Sequence, residues 1–308
     1  MEPSSKTPSK STLSASAILL AIFCNILWGS AYPAIKSGYA LFQIGDHLFS
    51  KILFTGVRFF AAGVMVLCLA AKKQHALPRI QKENRALVLW MALIYTMLQY
   101  IFFYIGLSHT TGSNGSIFNS TTTFMSVLLA HFLYQGDKLT LQKGLGCLVG
   151  FLGVILVTFQ NSNAGFSLLG EGFILIASAC FVAGSAMSKK AVQTDDPASV
   201  TGYNLLLGGA FLIIIGFVGG GRLHTPTVTG VLDLCYLALL SALAFTIWSS
   251  LLQRCPLGSL GVFNFIIPVF GTLLSAVFLK EDILHWQYLV SLILVCAGIF
   301  LVNRKKTA

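Results

Sequence analysis

The 308-residue chain is 56% hydrophobic and only 10% charged, with a mean hydropathy of +0.80, a balance that excludes an ordinary water-soluble protein and leaves no room for a hidden soluble catalytic domain. Its formal net charge of +10 would suit a nucleic-acid partner, but the basic residues gather at the ends of apolar runs, so none is expected and membrane orientation accounts for them. The seven cysteines lack CxxC spacing and all but Cys255 fall inside apolar runs; they read as small buried hydrophobes, neither disulfides nor metal ligands.

Behind a polar tail over 1–12 the predicted spans run 13–36, 47–71, 86–107, 112–134 and 140–159, then, after a linker over 160–168, 169–188, 199–219, 230–252, 259–279 and 286–303, with a tail over 304–308. Each holds roughly 20 residues, enough for a helix to cross a hydrocarbon core of about 30 Å, where backbone polar groups must be satisfied internally. The first run follows Lys6 and Lys10 like a secretory leader, yet it is longer than a leader's apolar region and nine further spans follow, so an uncleaved helix is expected. The sequence therefore predicts an all-α integral membrane protein of ten transmembrane helices.

Alternate loops carry unequal charge. Lys72, Lys73, Arg79, Lys82, Arg85, Lys138, Lys143, Lys189, Lys190, Arg254 and both basic tails fall on one side, against Lys36, Lys51, Arg222 and Lys280 on the other. Retention of basic loops in the cytoplasm places both termini there, in a cell (inner) membrane.

The segment from Gly112, GSNGSIFNSTTTFMSVLLAHFL, aligns with GSLGVFNFIIPVFGTLLSAVFL from Gly258, and Gly153 then pairs with Gly298 and Gly29-Ser30-Ala31 with Gly184-Ser185-Ala186. Two five-helix halves, 13–159 and 169–303, follow; five being odd, the second enters from the opposite face, which makes the repeat inverted.

At these residues the chain resembles the drug/metabolite transporter superfamily, specifically its ten-helix EamA-type members. The carriers of the resemblance are NILWGSAYPAIK at 25–36, Arg58-Phe59, YIGLSHTTGSNGSI at 104–117 and IIPVFGTLLSAVFLKED at 266–282. Thr122 stands where that family usually has Pro, and Asp137 where it has Glu. The resemblance implies export of small metabolites or amino acids from a cavity lined by helices other than the fifth and tenth.

Arg58 is the one charge well inside a span, about seven residues or roughly 10 Å deep. Such a charge faces a wet cavity or snorkels to the headgroups. The uncharged polar residues Asn25, Trp28, Tyr95, Gln99, Asn119, Thr122, Tyr203, Trp248 and Asn264 recur near mid-membrane and either line a shared cavity, as substrate-binding groups, or serve as interhelical hydrogen-bond glue. Pro268, which lacks a backbone donor, is the candidate gating hinge. The acidic residues, Asp233 included, all read as lying at or near span ends, so no buried carboxylate relay is visible. Gly146/Gly150/Gly153 and Gly216/Gly220 read as close helix packing or a dimer contact.

No HExxH, GxSxG or GxxxxGKS pattern occurs, so no catalytic residue, metal or cofactor is assigned. The expected activity is secondary transport of a small-molecule substrate across the lipid bilayer by alternating access, as monomer or homodimer. The alternatives are an exchange carrier for phosphorylated or nucleotide-linked metabolites, for which a single buried arginine compensates charge poorly, and a membrane-embedded enzyme or scaffold.

Overall fold

The computed structural model describes residues 13–109, 118–135, 137–158, 167–224, 227–279 and 286–303, all of whose regular structure is helical. In chain order these are α1 (Ala15–Leu41), α2 (Leu48–Gln74), α3 (Lys82–Ser108), α4 (Thr121–Leu133), α5 (Leu141–Thr158), α6 (Leu168–Ala191), α7 (Pro197–Val218), α8 (Val228–Arg254), α9 (257–279) and α10 (Trp286–Asn303). Six of them, α1–α3 and α6–α8, are long and apolar enough to cross a membrane, and shorter apolar helices occupy the other four expected positions. Most of the long helices extend past the apolar runs because polar residues finish them. Ser14, His47, Ser167, Asp196 and Thr227 each accept a backbone N–H of the first turn, and Lys72/Lys73, Lys189/Lys190 and Arg254 sit in last turns, where the helix dipole favours cations.

The loops sort to two ends of the bundle. Gln74, Gln81 and Asn84 reach Asp196, Thr194 and Asp195 respectively, and Gln142 reaches the carbonyl of Leu301, at the end that carries the start of α1 and the finish of α10. At the far end Ser50 accepts the N–H of Arg222.

The main helix pairings are unchanged when each helix is replaced by the one five places on. α2 packs on α7 and α5 on α10, each pair mapping onto itself, while α1 on α8 mirrors α6 on α3, and α1 on α9 mirrors α6 on α4. The self-paired helices must cross the pseudo-two-fold axis, and there only hydrogen fits. A Cβ on Gly63 would lie 2.4 Å from the nitrogen of Leu206, and one on Gly209 2.3 Å from that of Phe60. Gly146 and Gly298 touch across α5 and α10 in the same way, so that glycine run seals one half of the chain to the other. Gly216 packs against Leu53, but Gly220 lies beyond the helix in a turn at φ +78°, which corrects its reading as a helical GxxxG partner.

Large apolar side chains such as Leu69, Phe132, Phe217, Phe278 and Phe300 are exposed around the bundle, whereas Asn25, Thr123, Asn204 and Ser241 are buried inside it. That is the reverse of a water-soluble protein and suits a lipid solvent. Cys68, Cys235 and Cys296 belong to the exposed set, against the expectation that the cysteines are buried; all seven thiols are free.

Among the described residues, three irregularities interrupt the helices. Residues Ala92–Leu98 of α3 form a π segment around Tyr95, and Leu168–Gly172 opens α6 in the same geometry. In α9 a 3-10 stretch, Val262–Phe265, separates Leu257–Gly261 from Ile266–Leu279. Pro268 explains its position, because the missing N–H is the one that would have bonded the carbonyl of Asn264. The repeat partner, Thr122, has its N–H, yet α4 also begins there, after a turn at Ser120, with the Thr122 hydroxyl donating to the Asn119 carbonyl at 2.5 Å.

Candidate solute-binding site

Arg58 sits ten residues into α2, about 15 Å of helix rise from its far end, deeper than the sequence spacing suggested. Its side chain does not snorkel: the residue is 3% exposed. Nε donates to Ser241 Oγ of α8 at 3.0 Å, and the guanidinium carbon lies 4.6 Å from the centre of the Phe59 ring. Ser241 is itself fixed by donating to the carbonyl of Leu237 one turn earlier. One amino group of Arg58, Nη1, is buried without a hydrogen-bond partner. A desolvated guanidinium holding a free donor is costly unless something else supplies the acceptor.

Tyrosines surround this cation. The Tyr100 ring of α3 is tilted 54° against that of Phe59 at 4.6 Å, and Tyr39 of α1 meets Tyr104 at 6.5 Å. The Tyr104 hydroxyl accepts from Thr55, which places α3 against α2 on the far side of Arg58. Tyr32, Tyr39 and Tyr100 are half-buried, so their rings are not sealed into the core.

An aromatic layer lies towards the termini. Trp28 meets Phe181, Phe245 and Trp248 edge-on at 6.0, 5.4 and 5.2 Å, and Tyr95 meets Phe181 and Phe245 at 5.3 and 5.7 Å. The Tyr95 ring rests on Gly184, where a Cβ would come within 2.2 Å of it, and its hydroxyl accepts from Ser185. The Phe59–Phe245 contact at 6.1 Å joins the layer to the Arg58 cluster. Around it buried polar atoms stand unpaired: the indole N–H of Trp28 and of Trp248, Oδ1 of Asn25, Oε1 of Gln99, Oδ1 of Asn204 and both amide atoms of Asn264. Such atoms are rare in a finished core and mark where water or a ligand is needed.

At the termini end the opposite holds. Asp137, 3% exposed, pairs with Lys143 and accepts the N–H of Gly258 at 2.6 Å, tying α4 to α9. Asp195 takes the N–H of Gln81 and the amide of Asn84, and Lys189 donates to the carbonyls of Leu252 and Cys255, closing the last turn of α8. Ser188, Ser249 and Thr201 form a buried hydroxyl chain just above.

Of the residues singled out from sequence, Arg58, Trp28, Tyr95 and Trp248 come together through the Phe59–Phe245 contact. Asn25 is half satisfied by the carbonyl of Ala21, and Asn264 sits in the 3-10 break of α9. Tyr203 does not belong with them: its hydroxyl donates to the carbonyl of Pro78 at 2.9 Å, at the termini end. Thr122 spends its hydroxyl on its own backbone, and Asn119 supplies the accepting carbonyl. The sequence reading missed Ser241, Asp233, Tyr39 and Tyr100. Asp233 and Ser241 are eight residues apart and so share a face of α8, a spacing the chain did offer. Asp233 is also not at the helix end, since α8 begins at Val228, and its Oδ2 is buried and unpaired.

A two-fold helical bundle with a buried cation and unpaired polar atoms between its halves has the build of a membrane carrier. The chain belongs to the EamA-like transporter family, whose model matches residues 15–159 and again 168–304. It is 27% identical to the uncharacterized transporter YvbV of Bacillus subtilis, over 95% of this chain and 92% of the relative. It is 24% identical to the probable amino-acid metabolite efflux pump of Salmonella typhimurium, over 92% and 93% of the two chains. A crystal structure of a protein 20% identical to it superposes with a TM-score of 0.78, covering 93% of this chain and 98% of that one, a likeness of fold. The protein is a multi-pass membrane transporter.

Proposed function

We propose that the protein is a secondary carrier of the cytoplasmic membrane that exports small metabolites or amino acids by alternating access, with both termini in the cytoplasm and Arg58 as the group that binds the solute's anionic end. The observation that carries this reading is the buried Arg58 guanidinium, fixed by Ser241 and Phe59 yet keeping one donor unpaired. A planar fork held in that way is ready for a carboxylate, whose bidentate hydrogen bonds replace the water the arginine has lost. The name of the Salmonella relative points to the same class of solute.

The two ends differ as an alternating-access carrier requires. In this reading the satisfied network at the termini end is the closed cytoplasmic gate, the Trp28–Phe245–Tyr95 layer is the floor of the site, and the half-buried tyrosines face the outer approach. Rocking of one half against the other about the paired α2/α7 and α5/α10 contacts would exchange them. Asp233 shares a face of α8 with Ser241, the partner of Arg58, and lowers the net positive charge of the site, so a phosphorylated dianion is a poor fit.

The test is flux of labelled solutes in vesicles reconstituted with the purified chain, guided by a thermal-shift screen in detergent, because a ligand that binds the native state raises its apparent stability. Solute movement that depends on the protein and on Arg58 supports the reading. Movement that survives Arg58→Ala at the wild-type rate removes the arginine from the site.

A further inference from the structure

Resting on the carrier reading above, we propose that Asp233 is the second pole of the Arg58 site and binds the ammonium group of the solute, so that the protein selects molecules with separate positive and negative ends. Asp233, Leu237 and Ser241 lie at successive turns on one face of α8, and Ser241 holds Arg58. The carboxylate is located independently from α1 and α2. A Cβ on Gly38 would stand 2.8 Å from Asp233 Oδ2 and 2.6 Å from Cζ of Phe54, so acid and ring meet at that glycine. Phe54 is one turn before Arg58 on the same face of α2, about 6 Å of rise away. The carboxylate therefore lies beside the turn of α2 that precedes Arg58.

Acid and guanidinium do not touch. No hydrogen bond or ion pair joins Asp233 to Arg58, and Oδ2 of the one and Nη1 of the other are both buried without partners. A purely structural pair of buried opposite charges would close to bidentate contact, since each charge alone is costly. Here Ser241 holds the arginine by Nε and Phe59 holds its plane, which keeps the two apart. A small zwitterion would bridge the two poles, with a hydrogen bond of about 2.8 Å at each end. Its ammonium group would also meet the Tyr39 and Phe54 rings, packed edge-on at 5.7 Å beside the carboxylate, whose faces attract cations. An anion without an amine would instead be repelled by Asp233.

The experiment uses the full chain in vesicles and a panel of neutral L-amino acids. Each is compared with its amine-free carboxylic acid and its carboxyl-free amine as competitors of uptake. Wild type should prefer the amino acid over both analogues. Asp233→Asn should reduce amino-acid uptake about tenfold, the scale of a charge-assisted hydrogen bond, and erase the preference over the amine-free acid, while Asp233→Glu restores part of it. Arg58→Gln should instead erase the preference over the carboxyl-free amine. If no amino acid in the panel is preferred over its amine-free acid in wild type, the assignment fails without any variant having to fold. It also fails if Asp233→Asn lowers both solutes equally, which would make the acid a gating or ion-coupling group. Protein-dependent flux that keeps the preference over the carboxyl-free amine but shows none over the amine-free acid would leave the carrier reading standing and remove only the second pole; absence of any protein-dependent flux would remove both.

Discussion

Two regions of this bundle bury comparable charge and treat it in opposite ways. At the termini end Asp137, Asp195 and Lys189 are met by side-chain or backbone partners that join one half of the chain to the other or close a helix. About four to six helical turns away, Arg58 and Asp233 keep unpaired atoms, and Trp28 and Trp248 do the same in the layer between. Satisfied polar groups in a low dielectric hold a structure rigid, and unsatisfied ones weaken it. The contrast therefore separates what the fold uses to stay shut from what it keeps for a ligand.

The largest expected effect concerns which face each region looks toward. In a background where the seven native cysteines are replaced, a cysteine at Glu83 should be protected from an impermeant reagent added to intact cells, and one at Arg222 should react. Both positions are exposed at opposite ends of the bundle, so the result is all or none. Reaction at 83 from outside would invert the comparison and place the closed gate at the outer face.

Next comes the arginine. Arg58→Ala and Arg58→Lys should each lower transport of a carboxylated solute by at least about tenfold, because lysine keeps the charge but not the fork. Arg58→Ala should not lower the thermal midpoint, since removing a buried and partly unpaired charge is neutral or stabilising. A fall in midpoint as large as the fall in transport would make Arg58 part of the scaffold.

Asp137→Ala should behave in the opposite sense, losing stability first. It leaves Lys143 and the Gly258 N–H without their acceptor, at a cost of about 2 kcal/mol after allowing for the nearby aqueous boundary. Thermal unfolding in detergent measures this directly, and an unchanged midpoint would show that the network is not holding the end closed.

A smaller effect separates the two breaks. Pro268→Ala restores a donor for the Asn264 carbonyl and should straighten α9, slowing transport a few-fold. Thr122→Ala removes only a hydroxyl that bonds its own preceding turn and should slow it less. Equal rates in both variants and wild type would remove the hinge. Smallest of all, Lys51→Ala should change neither transport nor midpoint, because its partner Asp46 is fully exposed and the pair is 3.5 Å apart.

Much of the architecture was written along the chain. Apolar runs must become helices where no water is available for the backbone, their number and the aligned Gly112 and Gly258 segments required two similar halves, and the spacing of Arg58 inside a run marked it as costly. Glycines read as packing fell at real contacts wherever they lay within helices, at Gly146, Gly150, Gly153 and Gly216. What the sequence could not order were the partners across α1, α2, α3 and α8. Tyr203 and Tyr95 look alike in the chain, both aromatic and both within apolar runs, yet one hydroxyl ties down Pro78 at the termini end and the other ring floors the site. Asp233 looked like a boundary residue because hydropathy reports how apolar a stretch is, not where its polar cap begins; α8 starts five residues earlier at Val228, capped by Thr227. Composition and periodicity fix the solvent and the helix count, since those depend on each residue's own transfer energy. Which buried polar atoms find partners depends on helices more than a hundred residues apart, and only their packing decided that Arg58 would meet Ser241 and leave a donor free.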